Sequence, residues 1–184
     1  KLHESCGSLR DNMESLENDR DRLNDKVLDS EFRSMRDNLI FYGVEESTPV
    51  VATPAVAEDC DALVKKFIKD HLDIDASTMT FDRAHRLGAL RGNRTPRPIV
   101  VKFHYYHERE TIRKAAWPLK DALKRTNCGV GVQLPKEWRE ARKTLSDVFQ
   151  EEKSKGKSVK FVGDKLLVNG QQYKPPTNNA RWRC

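Results

Sequence analysis

Leu2, Leu9, Leu16 and Leu23 recur every seven residues, and Cys6, Met13, Arg20 and Val27 each follow one of them by four. A heptad stripe of this kind lies along one side of a helix and has to be covered by another helix. The positions between are mostly charged: Glu4, Arg10, Asp11, Glu14, Glu17, Asp19, Asp21 and Arg22. The expectation is a coiled coil over residues 1–36, roughly 54 Å long at about 1.5 Å per residue. Its oligomerisation surface is Leu2, Cys6, Leu9, Met13, Leu16, Arg20, Leu23 and Val27. Arg20 is costly in a dry seam and is expected to fix register and oligomer number rather than add stability. Leu28, Phe32 and Met35 carry the apolar stripe onward in a shifted phase. The heptads leave two or three strands open. Lys1 opens in mid-heptad without a starting Met, so a fragment of a longer protein is expected.

The remaining chain is of different character. Of 184 residues, 37% are apolar and 34% charged, which suits a helical arm with small domains better than one large core. The net charge of +6 is unevenly spread. Residues 83–125 hold 12 basic and 3 acidic side chains, whereas residues 38–82 hold 3 and 9. A basic block repels itself unless it meets a polyanion, so nucleic acid is the first candidate partner. Cys6, Cys60, Cys128 and Cys184 are far apart, and reduced intracellular thiols are expected rather than a disulfide framework. No signal peptide and no apolar run near 18 residues is found, so no membrane span is expected.

From Asn38 the period changes. Leu39 to Val44 is an apolar run that reads as a buried strand. Residues 47–57, with Pro49 and Pro54, read as a loop, and Glu58 to Leu72 as a helix with Cys60, Leu63, Val64, Phe67, Ile68 and Leu72 on one face. Met79 to Leu87 is a second strand, Gly88 to Pro96 a basic loop, and Arg97 to Phe103 a third strand. Glu108 to Ala116 is a helix ended by Trp117-Pro118, and Val130 to Leu134 a fourth strand. The order βαββαβ is the split βαβ pattern of ferredoxin-like domains, including the RNA-recognition motif. It predicts one four-stranded sheet over residues 37–134, with two helices on one face and the other face open. The fold class is thus α+β. Residues 135–175 predict a small α+β domain: one helix from Lys136 to Lys155, with Trp138, Ala141, Leu145, Val148 and Phe149 inward and Gly156 at its end, then a β meander with an Asn169-Gly170 turn. Residues 176–184 read as a tail.

On the open face the pattern places Ile40, Tyr42, Pro98, Val100 and Lys102, with Leu39, Phe41, Ile99, Val101 and Phe103 inward. A standard RNA-recognition module puts base-stacking rings at two of the outward positions of the third strand. Pro98 and Val100 stand there instead, and Tyr42 is the one ring available. Charge replaces stacking. Arg83, Arg86, Arg91, Arg94 and Arg97 line one strand, its loop and the start of the next, where guanidinium forks match phosphate oxygens. The spacing of Arg83 and Arg86 does not keep both on one strand face. Lys102, Arg113 and Lys114 extend the basic set, and Arg142 shares a helix side with Trp138, beside Arg139 and Lys143. Such a surface grips backbone more than it reads sequence, with strong salt dependence. His104-x-x-His107 lacks a nearby third ligand, so no metal is expected. No phosphate loop, nucleophile motif or carboxylate cluster marks the basic half, so no enzyme, no catalytic residue and no cofactor are expected.

Four blocks carry a resemblance. Arg36-Asp37-Asn38-Leu39-Ile40-Phe41-Tyr42-Gly43-Val44 directly follows the coil. Phe81-Asp82-Arg83-Ala84-His85-Arg86-Leu87-Gly88 is the second, and Pro96-Arg97-Pro98-Ile99-Val100-Val101-Lys102-Phe103 the third. Leu166 to Gly170 with Tyr173 is the last. In this order, over residues 1–175, the chain resembles the RNA-binding protein of the first open reading frame of LINE (non-LTR) retrotransposons. The resemblance implies a parallel homotrimer whose chains each carry an atypical RNA-recognition motif and a C-terminal domain. It implies RNA-binding, single-stranded RNA and DNA as partners, and a nucleic acid chaperone within the ribonucleoprotein of retrotransposition, cytoplasmic and also nuclear. The family's RNA-contacting arginines map onto Arg83, Arg86, Arg97 and Arg142. Trp117 departs from the pattern, since many relatives have arginine after the Ala-Ala pair; Arg113, Lys114 or Lys120 would compensate. The competing reading is a coiled-coil scaffold, or a host-derived protein-interaction module with RNA-recognition-like heads.

Overall fold

A computed structural model describes residues 2–46, 58–89 and 95–174, with side chains from Gly7 onward. The loop expected over 47–57, Arg91 and Arg94, and the tail over 176–184 lie outside the described residues, as do the side chains of Leu2 and Cys6. The chain is mixed α+β and divides into two units, 1–133 and 134–184.

The first unit begins with a single helix, α1 (Leu2–Met35). No proline interrupts it, and Arg33 supports its last turn by an ion pair to Asp29 at 2.8 Å. Its seam lies bare in the single chain: Leu9, Met13, Leu16, Leu23 and Val27 are each more than half exposed. Arg20 pairs with its neighbour Asp21 at 2.8 Å.

Two residues after α1 the first strand starts. The strands β1 (Asn38–Tyr42), β2 (Phe81–Arg86), β3 (Ile99–Phe103) and β4 (Gly129–Val132) form one antiparallel sheet in the order β2-β3-β1-β4. Strand β1 stops two residues short of the expected Val44. Gly43 has φ +77°, and a Cβ there would sit 2.3 Å from the Asn127 carbonyl oxygen. Only glycine permits that turn and that approach. Between β1 and β2 runs α2 (Cys60–Leu72), capped by Asp59, whose carboxylate accepts from the Ala62 N–H at 3.0 Å. Asp73 ends it in the left-handed region, φ 54°. Between β3 and β4 lie α3 (Tyr106–Ala116) and α4 (Lys120–Arg125), the latter unforeseen in the sequence.

Alternation along the strands gives the sheet two faces. Leu39, Phe41, Ile99, Val101 and Phe103 join Val64, Phe67 and Ile68 of α2 and Ile112 and Ala116 of α3 in one buried cluster. Phe41 meets Phe67 edge-on at 5.5 Å between ring centres. The opposite face carries Ile40 and Val100, which pair across β1 and β3. Both are at least 95% buried, so the middle of this face is covered rather than open to solvent.

In the second unit the single helix expected from Lys136 to Lys155 is two, α5 (Lys136–Thr144) and α6 (Ser146–Ser154), parted at Leu145. None of their residues is fully buried. A three-stranded antiparallel meander follows: β5 (Val159–Val162), β6 (Lys165–Val168) and β7 (Gln171–Gln172). Asn169 and Gly170 join the last two strands, both with positive φ, as a type I′ turn requires. The Phe149 and Phe161 rings stack at 5.3 Å, and Leu166 is 1% exposed.

Candidate nucleic-acid interface

Strand β2 decides where the arginines go. Phe81 pairs with Phe103, yet Arg83 pairs with Lys102, the next residue along β3. Asp82 is therefore an extra residue, a β-bulge, and it shifts the phase of the strand. Phe81 stays on the helix side, where its ring meets Phe103 at 5.0 Å. Arg83 and His85 turn to the other side, opposite Lys102 and Val100. Arg86, opposite Ile99, turns back to the helix side.

The Arg86 side chain is only 4% exposed and all its guanidinium donors are used. Nε and Nη2 donate to the two carboxylate oxygens of Glu58, each at 2.9 Å. Nη1 donates to the carbonyls of Val44 and Arg97, and Nη2 to that of Glu45. A guanidinium with five bonds inside the protein ties β1, β2 and the start of β3 to the head of α2. Arg86, expected on the phosphate-gripping surface, has no donor left for a phosphate. Arg97 bonds to Glu46, with Nη2 to Oε2 at 3.0 Å and its backbone N–H to Oε1 at 2.7 Å, but its side chain stays 26% exposed and not all its donors are used among the described residues. The guanidinium hydrogen bonds hold the Glu46 carboxyl below its usual range and raise the arginine.

Arg83 is different. It is exposed and makes no hydrogen bond or ion pair among the described residues. With Asn38, His85, Val100, Lys102 and Gln133 it lines a cleft of about 410 Å³ on the outer face, which Ser34 and Met35 of α1 and Leu87 also line. Among the described residues no carboxylate lines this cleft. Asp82 stands beside it, 3.6 Å from Lys102 Nζ and 2.7 Å from His104 Nδ1, and these contacts, His104 first, lower its carboxyl. Asn38 donates from Nδ2 to Gln133 Oε1 at 2.7 Å, which closes β1 against the end of β4.

Tyr42, 45% exposed, lies on the same sheet face and rests over β4. A Cβ on Gly131 would come 3.2 Å from its Cε2, and one on Gly129 3.8 Å from its Cδ2. Two glycines make the shelf for this ring. Arg113 stands on α3, bonded to Glu110 with Nη2 to Oε2 at 2.8 Å. Arg113 first, then Arg109, pulls the Glu110 carboxyl down to about 2. Lys114 is exposed on the same helix. In the second unit Arg142 donates from Nε to the Gly163 carbonyl at 2.8 Å and lies 5.2 Å over the Phe161 ring; burial lowers its pKa.

The sheet thus brings Arg83, Lys102 and Tyr42 to one face, and turns Arg86 and Arg97 to internal carboxylates. His85, Asn38 and Gln133 belong to the cleft and were not singled out from sequence. The signal for His85 was present: it stands two residues after Arg83, and period-2 alternation puts both on one face. Among the described residues no group of three His, Cys, Asp or Glu side chains is placed to hold a metal ion, and no helix is long and apolar enough to cross a membrane. In comparisons with known proteins, no family model and no curated protein matches the chain.

Proposed function

We propose that the chain is a self-associating, single-stranded RNA-binding protein and nucleic acid chaperone, of the kind encoded by the first open reading frame of LINE retrotransposons. The observation that carries this reading is the outer-face cleft: an arginine beside a lysine and a histidine, with no partner for that arginine and no carboxylate in the lining among the described residues. A phosphodiester strand supplies the missing negative charge. The order β2-β3-β1-β4, with helices between β1 and β2 and between β3 and β4, supports assigning the first unit to the ferredoxin-like, RNA-recognition type. The bare apolar seam of α1 supports self-association through the coil, and the family resemblance makes it a homotrimer. Each copy grips weakly through few cations, and linked copies bind one strand with avidity while single grips release quickly. That combination lets strands exchange partners, which is what a chaperone of nucleic acid does. Arg83, Lys102, His85 and Tyr42 are the contacts within this reading; Arg86 and Arg97 hold the strands that present them.

Sedimentation with and without a single-stranded oligonucleotide tests it. The free protein is expected to run as three copies, and deletion of residues 1–30 as one, with RNA affinity lowered about a hundredfold or more. Affinity for RNA should fall steeply with salt. A flat salt dependence in a protein that still trimerises would favour the scaffold reading instead.

A further inference from the structure

The free edge of β4 carries a second site. One side of β4 bonds to β1, and no strand meets its other side among the described residues. Every second residue there points its N–H and C=O outward, an unused template for a further strand. A groove of about 390 Å³ runs between this edge and the junction of α3 and α4. Ala116, Leu123, Val130 and Val132 form an apolar floor. Trp117 lines it with 72% of its surface exposed, and the Tyr42 ring reaches it over Gly129 and Gly131. Lys120 and Lys124 supply its charge beside Arg113, which Glu110 holds in an ion pair, and no carboxylate lines the groove among the described residues.

We infer that this edge takes up an extended acidic segment of a partner protein by strand addition. Three observations select that occupant. An unpaired strand edge is answered by another peptide backbone, which offers donors and acceptors in the same alternation, whereas a nucleic acid does not. Tryptophan, tyrosine and arginine around an apolar floor are the residue types that anchor protein interfaces. The all-cationic lining selects acidic side chains. The geometry also fixes the register. Alternate side chains of an added strand fall over Val130 and Val132 on the helix side, and the intervening ones beside the Tyr42 ring. The cleft around Arg83 is polar and lies on the outer sheet face, so the two sites differ in chemistry as well as in lining.

Selection of displayed random heptapeptides on the full chain tests this. Alternating apolar residues interspersed with Asp or Glu are expected to be enriched. Binding of a selected, fluorescein-labelled peptide should weaken at least tenfold in Trp117→Ala and again in the double variant K120E/K124E; both positions are exposed, and unchanged circular dichroism checks the fold. N-methylation of alternate backbone amides of that peptide should abolish binding in one register and spare it in the other. No enrichment, or binding indifferent to Trp117→Ala or to N-methylation in both registers, overturns the inference. So does a single-stranded oligouridylate that displaces the peptide and shields the Trp117 indole from acrylamide, since the groove would then belong to nucleic acid. Loss of RNA affinity elsewhere with intact peptide binding would leave this site standing, because it does not depend on the RNA-binding reading.

Discussion

Arg83 and Arg86 stand three residues apart on β2, and the sheet sends them to opposite sides. On the helix side Arg86 is buried and fully bonded to Glu58 and three carbonyls. On the outer side Arg83 is exposed and unpaired, facing Lys102. The same residue type thus builds the scaffold on one side and offers charge on the other. What separates the two duties is partner supply. Carboxylates from the acidic first half, Glu46 and Glu58, reach the helix side and the strand ends, and among the described residues none lines the outer cleft.

The strongest way to break this contrast is Arg86→Ala. Removing one partner of a buried, hydrogen-bonded pair takes the guanidinium from Glu58 and from three carbonyls and should cost about 3–5 kcal/mol in urea unfolding. An unchanged midpoint with lost RNA affinity would reverse the assignment and make Arg86 a contact. Ile40→Ala against Leu39→Ala sharpens it next. Leu39 belongs to the helix-side cluster, and its truncation should cost about 2–5 kcal/mol. Ile40 is 5% exposed on the other side, and a similar cost is expected. A cost near zero would mean that the outer face is open.

Arg83→Ala should leave the unfolding midpoint in place and weaken RNA binding by about 1.5 kcal/mol, the value of one charge-assisted hydrogen bond. The plot of log affinity against log salt should lose about 0.7 of slope per phosphate contact removed. A fall in stability without a change of slope would place Arg83 with Arg86. The smallest effect concerns pH. The Glu110 carboxyl is held at about 2 by Arg113 and Arg109, below its unfolded value. Its contribution is complete above the unfolded carboxyl range and is lost as pH falls toward 2. Glu110→Gln should therefore lower stability at neutral pH and flatten the acid limb of the stability profile. An acid limb identical to the parent's would remove this pair from the account.

Much of the scaffold was legible because it rests on local repetition. The heptads of α1, the apolar runs of β1 and β3 and the Asn169-Gly170 turn each state their geometry within a few residues. The short α4 was not, since Leu123 is its one fully buried side chain and its amphipathic signal is thin. The break at Leu145 was not either, because the apolar stripe continues across it. The site was half legible. Arginine density marked β2 and the approach to β3, and the odd spacing of Arg83 and Arg86 already parted them; which of the two faces outward is set by a bulge at Asp82 that alternation rules do not foresee. The partners of Arg86 and Arg97 come from 28 and 51 residues away. Glu58 read in the sequence only as the first residue of a helix; in three dimensions it is the ligand of a buried guanidinium.

The extra residue at Asp82 lets Phe81 and Arg83, two positions apart, stand on opposite sides of the sheet. Deleting it would leave Phe81, Arg83, Ala84, His85 and Arg86 in plain alternation with the same partners on β3, so the strand would keep its cations outward. What would go is the carboxylate that stands 3.6 Å from Lys102 and 2.7 Å from His104. The bulge thus sets one negative charge at the rim of a positive surface, a brake on that surface's own attraction for anions.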